Sequence, residues 1–389
     1  MVKFVNFGCW NKTDNNPGLK DVFDSIKKEE NIDFFIVNGD NYYQNKNKDK
    51  KEGSVKGEKT IHIKELFKGF NLLSEVIKND QQELYLLMGN HDLEMINKEC
   101  ETTLLEKFYV DMYNKNKKFK QFHFPNDLVM FKEIDDNIII MIDTNIYTEL
   151  GKDKECYKII NADYNDGYDF IKQQKIKITE QLGDKKYKNI IVCGHHPLFG
   201  IKNQKMKENI LKGGIETLSK EIYELFLDVI KEHSENVIYL CADVHNYQKG
   251  KVTITKEDQD IQVQQYIVGT GGADLDDDYN EKYNIDFNPN NSNSNIDPVC
   301  LIETSFHDIN LKYEIDQHTS QYGYIVVEII NGFVTIQPRM IQGKLINKCS
   351  NIKSRKGGYS LVRRTYKTKT RSRSRSRSKR RSVRKIKSI

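Results

Sequence analysis

The sequence predicts an α/β (α+β) protein built on a mixed sheet or a two-sheet sandwich with helices against it. Three observations carry that expectation. Short apolar runs alternate along the chain with amphipathic stretches of helical period. The helical stretches fall in the first two thirds of the 389 residues and the strand signals crowd the last third, which a purely doubly wound fold would not produce. The longest apolar runs, NIIIMIDTN (137–145) and YGYIVVEII (322–330), are of strand length, well short of the roughly 18 residues of a membrane span.

Strands are expected, in chain order, at 2–8, 33–38 (DFFIVN), 84–88, 128–133, 137–143, 189–193, 237–241, 263–268 and 323–330. Most are runs rich in Val, Ile, Phe or Tyr, with polar turn residues near their ends. Asn331-Gly332 is a two-residue hairpin signal, so a partner strand is expected at 333–337. Helices are expected at 18–29, 61–79, 102–114, 167–182 and 216–233, where apolar residues recur at three- and four-residue spacing. Loops are expected at the lysine-rich 45–59 and the acidic, Asn-rich 273–297. The body would run over 1–346, and 347–389 would be a disordered tail ending in RSRSRSRSKRRSVRK (371–385).

The net charge of +5 hides two opposite parts. Residues 350–389 hold 17 Lys and Arg and no acid, leaving 44 basic against 56 acidic residues in the rest of the chain. Binding to nucleic acid or to an acidic partner is therefore expected of the tail, with a nuclear-localisation or solubilising role as its alternatives. Seven cysteines at irregular spacing give no disulfide framework and fit a reducing compartment. With the first strand expected from Val2, no secretory signal is expected if Met1 is the true start. The expected location is intracellular and cytoplasmic, with nucleus or virion as alternatives. By the same reasoning the sequon Asn11-Lys12-Thr13 is a chance match.

Five expected strand ends finish in polar groups of metal-binding type. They are Cys9 in VNFGCWN, Asp40 in NGDNYY, Asn90, His91 and Asp92 in GNHD, His195 and His196 in GHHP, and Asp243 and His245 in ADVHNYQ. Ligands of open α/β sheets bind beyond the carboxyl ends of strands, so these distant segments can converge on one pocket. Carboxylate, imidazole, amide oxygen and phenolate together suit Zn, Mn or Fe, and one carboxylate can bridge two ions.

On these motifs the chain resembles the calcineurin-like metallophosphoesterases, and within them the purple acid phosphatases. GDNYY (39–43), GNHD (89–92), IDTN (142–145), GHHP (194–197), DVHNYQ (243–248) and VGTGG (268–272) occur in that family's order. The resemblance implies a two-sheet mixed β-sandwich flanked by helices and holding two metal ions. It implies that Asp40 bridges the ions, that Tyr43 and His245 bind the first, and that Asn90 and His195 bind the second. His91 would stand over the substrate as proton donor or phosphate binder, oriented by Asp92, and Trp10 would pack at the base of the site. His196 would either reach the phosphate or only shape its turn.

Two positions depart from the family. Cys9 stands where the family has a metal-binding aspartate, and Asp243 where it has a metal-binding histidine. Both can still ligate: Cys9 would complete the first ion's set and shift it toward softer ions such as Zn, and Asp243 would complete the second's and favour harder ones such as Mn or Mg. Cys9 could instead be a small buried hydrophobe, and Asp243 a salt-bridged carboxylate. The expected activity is hydrolysis of phosphomonoesters by a metal-bridging hydroxide, with His91 assisting the leaving group. The alternatives are a phosphatase-fold scaffold without turnover, or a nucleic-acid- or virion-associated protein acting through its tail.

Overall fold

The computed structural model describes residues 1–12, 17–46, 59–94, 100–115, 117, 120–148, 155–165, 168–204, 208–213, 218–276, 300–306, 308–341 and 346–347. Most of the 45–59 and 273–297 segments and the basic tail lie outside the described residues. Of the first segment, Asn45–Lys46 pairs antiparallel with Lys59–Thr60.

Two mixed sheets carry the fold. The smaller has six strands in the spatial order Phe333–Met340, Gly323–Ile330, Val2–Phe7, Phe34–Val37, Glu83–Leu86 and Phe122–His123. Val2–Phe7, Phe34–Val37 and Glu83–Leu86 run parallel to one another. They read as unbroken apolar runs because a parallel strand between two covered faces is buried on both, as Phe34 to Val37 are. The larger sheet is centred on Gln259–Val268, Val237–Cys241, Asn189–Cys193 and Asn137–Ile142, again mutually parallel. Antiparallel strands extend it on both sides. The two sheets, with helices beside them, are the expected α+β architecture.

Helices Pro17–Ile26, Ile63–Ser74 and Glu101–Lys115 pack in succession beside the six-stranded sheet. Phe23 of the first lies edge-on to Phe7, with ring centroids 5.8 Å apart. Helix Phe170–Leu182 packs on Val129–Ile134 at the margin of the larger sheet. Its start, a few residues later than expected, is set by Asp169, whose carboxylate accepts the Lys172 N–H at 3.1 Å; its end is set by Gly183 at φ 51°. The single helix expected at 216–233 is divided by a π-helical turn, Phe226–Ile230. The hairpin at Asn331-Gly332 forms as expected, both residues adopting the positive φ that such a turn requires.

Several strands fall outside the expected set, among them Tyr247–Lys256, Cys300–Phe306, Ile309–Thr319 and the hairpin of Phe199–Gln204 with Glu208–Gly213. Tyr247–Lys256 and Ile309–Thr319 interleave buried apolar residues with lysines and acids, as antiparallel strands with one solvated face do, so neither contains a continuous apolar run. The cysteine reading also needs correction. Cys100 and Cys156 form a disulfide, 56 residues apart in sequence, that ties the start of helix Glu101–Lys115 to helix Glu155–Ile160. Helix packing brings the two together, and spacing along the chain carries no trace of it. Asn11 is fully buried with its amide on the Leu66 carbonyl, which removes the sequon from glycosylation. No helix among the described residues is long and apolar enough to cross a membrane.

Candidate metal centre

The parallel strands of both sheets end at one place, and their closing loops are joined by backbone hydrogen bonds. Gly8 N–H donates to Val268 O of the other sheet, Cys9 N–H to Gly39 O, and Ala242 N–H to His195 O, at 2.8–3.0 Å. Cys9 packs on Ala242, so the first strand's loop rests directly on the other sheet. The motif glycines make this approach possible. A Cβ on Gly39, at φ 79°, would lie 2.4 Å from Gly89 N, and one on Gly89 would lie 2.3 Å from Asp40. Cys9, Asp40 and Asp243 all have left-handed backbone, φ 53–57°. Aspartate tolerates that region better than most residues, and cysteine has no such excuse, so Cys9 occupies a conformation suited to an aspartate.

All ten expected residues lie at this junction, in two groups that share Asp40. In the first, the Cys9 thiol, an Asp40 oxygen and a His245 nitrogen lie within 4.8 Å of one another. Tyr43 Oη is 2.8 Å from Asp40 Oδ2 and 2.9 Å from His245 Nε2, and Cys9 Sγ is 3.8 Å from Asp40 Oδ2. In the second, ligand atoms of His195, His196 and Asp243 lie within 4.8 Å of one another. His195 Nε2 is 3.1 Å from Asn90 Oδ1 and 3.3 Å from Asp40 Oδ1. Asp40 thus turns one oxygen to each group.

Hydrogen-bond partners fix the ring protons and test whether these atoms suit cations. His195 Nδ1 lies 2.7 Å from Asn38 O and His245 Nδ1 lies 2.6 Å from Asp274 O, so each donates there and presents an Nε2 lone pair. With Nε2 unprotonated, His195 turns a lone pair toward a cation beside Asn90 Oδ1 and Asp40 Oδ1; with Nε2 protonated, it satisfies those oxygens instead. In the first group the phenol and thiol protons can fill the same need. Both sets fit metal ions. His196 differs: Thr144 Oγ1 accepts the backbone N–H of both His195 and His196, so its own hydrogen goes to His196 Nδ1 at 2.9 Å. That leaves His196 with an Nε2–H donor, better suited to a phosphate oxygen than to a cation.

Electrostatics follow the same geometry. Burial alone would raise Asp40, but His195 and His91 outweigh it and hold the carboxyl well below its usual range. Burial, reinforced by Asp40 and Cys9, pushes the Tyr43 phenol far up. Burial opposes the charge of His91, yet Asp40 and Glu94 raise it above its ordinary value. His91 N–H donates to Asp40 Oδ1 at 3.1 Å, and its ring centroid is 4.6 Å from that of Tyr43.

Asp92 faces away from the role expected of it. Its carboxylate accepts from Gly89 N–H and Asn41 N–H at 2.7 Å, tying the two motif loops together, and the groups at the His91 imidazole are Glu94 and Gln44. Burial, then Asp40, push the Asp92 carboxyl up to about 7. Glu106 lies behind it, fully buried, and burial and then Asp92 push its carboxyl far up, so the pair of carboxyls shares a proton. Trp10 lies beneath, its indole N–H on Asn41 Oδ1 and its ring among Phe23 and Phe70. Thr144, Gln44 and Glu94 went unassigned in the sequence, although Thr144 lies within IDTN and the other two follow NYY and GNHD by one and two residues.

No curated protein matches the chain significantly. Among solved structures it is similar to purple acid phosphatase PPD1 from yellow lupin (Lupinus luteus) seeds, with a TM-score of 0.51 and 13% identity. That match covers 89% of this chain and 52% of the lupin chain, so the chain spans about half the length of that relative. Weaker likenesses are to GAP50, the anchor in the inner membrane complex of Plasmodium (TM-score 0.47, 14% identity, 91% and 90% covered), and to PhoD (TM-score 0.45, 12% identity, 84% and 63% covered). The profile described as calcineurin-like phosphoesterase matches residues 2–247, a span that contains every strand-end donor from Cys9 to His245. On that match, and with the donors gathered at one junction of two mixed sheets, the chain belongs to the calcineurin-like phosphoesterase family.

Proposed function

We propose that this protein is a two-metal phosphoesterase that hydrolyses phosphomonoesters, with Cys9, Asp40, Tyr43 and His245 holding one ion and Asp40, Asn90, His195 and Asp243 the other. The observation that carries the reading is the gathering of these donors about Asp40, which turns Oδ2 to Cys9 and Tyr43 and Oδ1 to His195. A carboxylate placed between two sets of imidazole, amide and phenol or thiol donors is the arrangement that can bridge two ions. Bound ions would supply charge neutralisation at the phosphoryl oxygens and a more acidic water for in-line attack.

The chain's own groups do the rest. Asp40 sits between the two groups and fixes their separation. His196, with Nε2–H forward, donates to a phosphoryl oxygen. His91, whose hold on a proton Asp40 and Glu94 strengthen, gives a proton to the departing alkoxide. Asp92 acts behind them by clamping the Asp40 and Asn90 loops.

The fold alone also supports a scaffold reading, favoured by one observation: both departures from the family, Cys9 and Asp243, fall on ligand positions. Metal analysis of the purified protein, followed by assay on an aryl phosphate with Zn, Mn, Fe or Mg, separates the two. Bound metal with turnover supports the phosphoesterase; neither metal nor turnover would sink it. The basic tail as a site for nucleic acid or acidic partners remains a separate proposal, tested by comparing the full chain with one ending near residue 350.

A further inference from the structure

We propose that Glu94, acting with Gln44, is the positioning residue that sets the tautomer and direction of His91, an inference resting on the phosphoesterase reading above. Two acceptors flank His91 Nδ1: Glu94 Oε2 and Gln44 Oε1, each at 3.5 Å. The Gln44 amide cannot turn its nitrogen there, because Nε2 already donates to His91 O at 2.6 Å and to Thr102 Oγ1 at 3.1 Å. A ring nitrogen facing two oxygens carries the proton, so Nδ1–H is fixed and Nε2 becomes the working atom. His91 Nε2 has no hydrogen-bond partner among the described residues, and the side chain is 29% exposed, open to an incoming ester.

Asp92, the nearer carboxylate in sequence, is already engaged by three donors from Gly89 and Asn41. Glu94 lies three residues beyond His91, in the turn that follows it, which brings its carboxylate to His91 Nδ1. Gln44 extends the same hold to helix Glu101–Lys115 through Thr102, so the ring is braced from two elements. In the reaction His91 Nε2–H would break as the alkoxide O–H forms and the P–O bond to the leaving group opens. The imidazole then regains its proton from water, with Nδ1–H held on Glu94 throughout.

The test pairs a spectroscopic with a kinetic measurement on the full chain, metal-free or loaded with diamagnetic zinc. Imidazole nitrogen NMR of histidine-labelled protein, with His91 assigned through His91→Asn and spectra taken at a pH where its ring is neutral, should show the Nδ1–H tautomer in wild type and its loss in Glu94→Ala. On an alkyl phosphate Glu94→Ala should lower kcat on the order of 10²-fold, against less than about threefold on p-nitrophenyl phosphate, whose leaving group needs no proton. Glu94→Asp should recover part of the loss. An unchanged His91 tautomer in Glu94→Ala, or equal losses on both esters, would overturn the proposal. Wild-type protein without turnover that still shows the Glu94-dependent tautomer would refute the phosphoesterase reading and leave the positioning role standing.

Discussion

The two halves of the candidate centre solve the same problem differently. Around Cys9, Tyr43 and His245 the inward lone pairs can be satisfied by protons the chain carries itself, the phenol and the thiol. Around His195 the oxygens of Asn90 and Asp40 face an imidazole nitrogen, and both ring orientation and backbone are fixed by Asn38 O and Thr144. The first half closes on phenol and thiol protons and the second on an imidazole proton, which an ordinary imidazole gives up at lower pH than a thiol or phenol does. An ion in the first half must displace the more tightly held proton, so its affinity should keep climbing to higher pH.

Removing the atom common to both halves should have the largest effect. Asp40→Asn takes the only carboxylate shared by the two groups, and it should abolish binding of both ions and lower kcat/KM on the order of 10³-fold, measured by metal analysis beside the aryl phosphate assay. Next in size, His195→Ala should weaken the second ion on the order of 10²-fold while the first is retained, seen as loss of one metal equivalent in a competition titration. If both equivalents leave together, the halves are not separable and the comparison fails.

A smaller change comes from restoring the family's residue in the first half. Cys9→Asp should shift preference from Zn toward Mn or Fe roughly tenfold, about 1.4 kcal/mol, and raise turnover with those ions. The substitution is backbone-compatible, since aspartate accepts the left-handed φ of 53° that Cys9 now holds. An unchanged metal preference would mean that the thiol is only packing on Ala242.

The smallest effect concerns the loops that hold both halves. The Asp92 carboxyl titrates near 7 when folded against an ordinary 3.8. Between those values the folded chain keeps a proton that the unfolded chain releases, so Asp92 makes the metal-free protein less stable as pH rises from about 4 to 7. Asp40, lowered instead, acts with the opposite sign and below that window. Urea denaturation across this range should therefore show a falling slope that Asp92→Asn flattens, and an unaltered slope would place the titration elsewhere.

Much of this was written in the sequence. The central strands are legible because burial on both faces demands continuous apolar runs such as DFFIVN and NIIIMI, and the donors are legible because they follow those runs immediately. Tyr247–Lys256 and Ile309–Thr319 escaped because one solvated face interrupts the apolar run with lysines and acids. The Cys100–Cys156 bond escaped because it depends on how two helices pack.

By itself, then, the sequence determined which residues gather, since strand periodicity and turn residues are local properties of the chain. Only the tertiary structure decided what each of them offers. Whether a histidine presents a lone pair or a proton depends on the atom behind its other nitrogen: Asn38 O for His195, Asp274 O for His245, Thr144 for His196, and Glu94 rather than Asp92 for His91. Three of those four partners lie between 29 and 157 residues away along the chain, and a proton's position is set by distance in space.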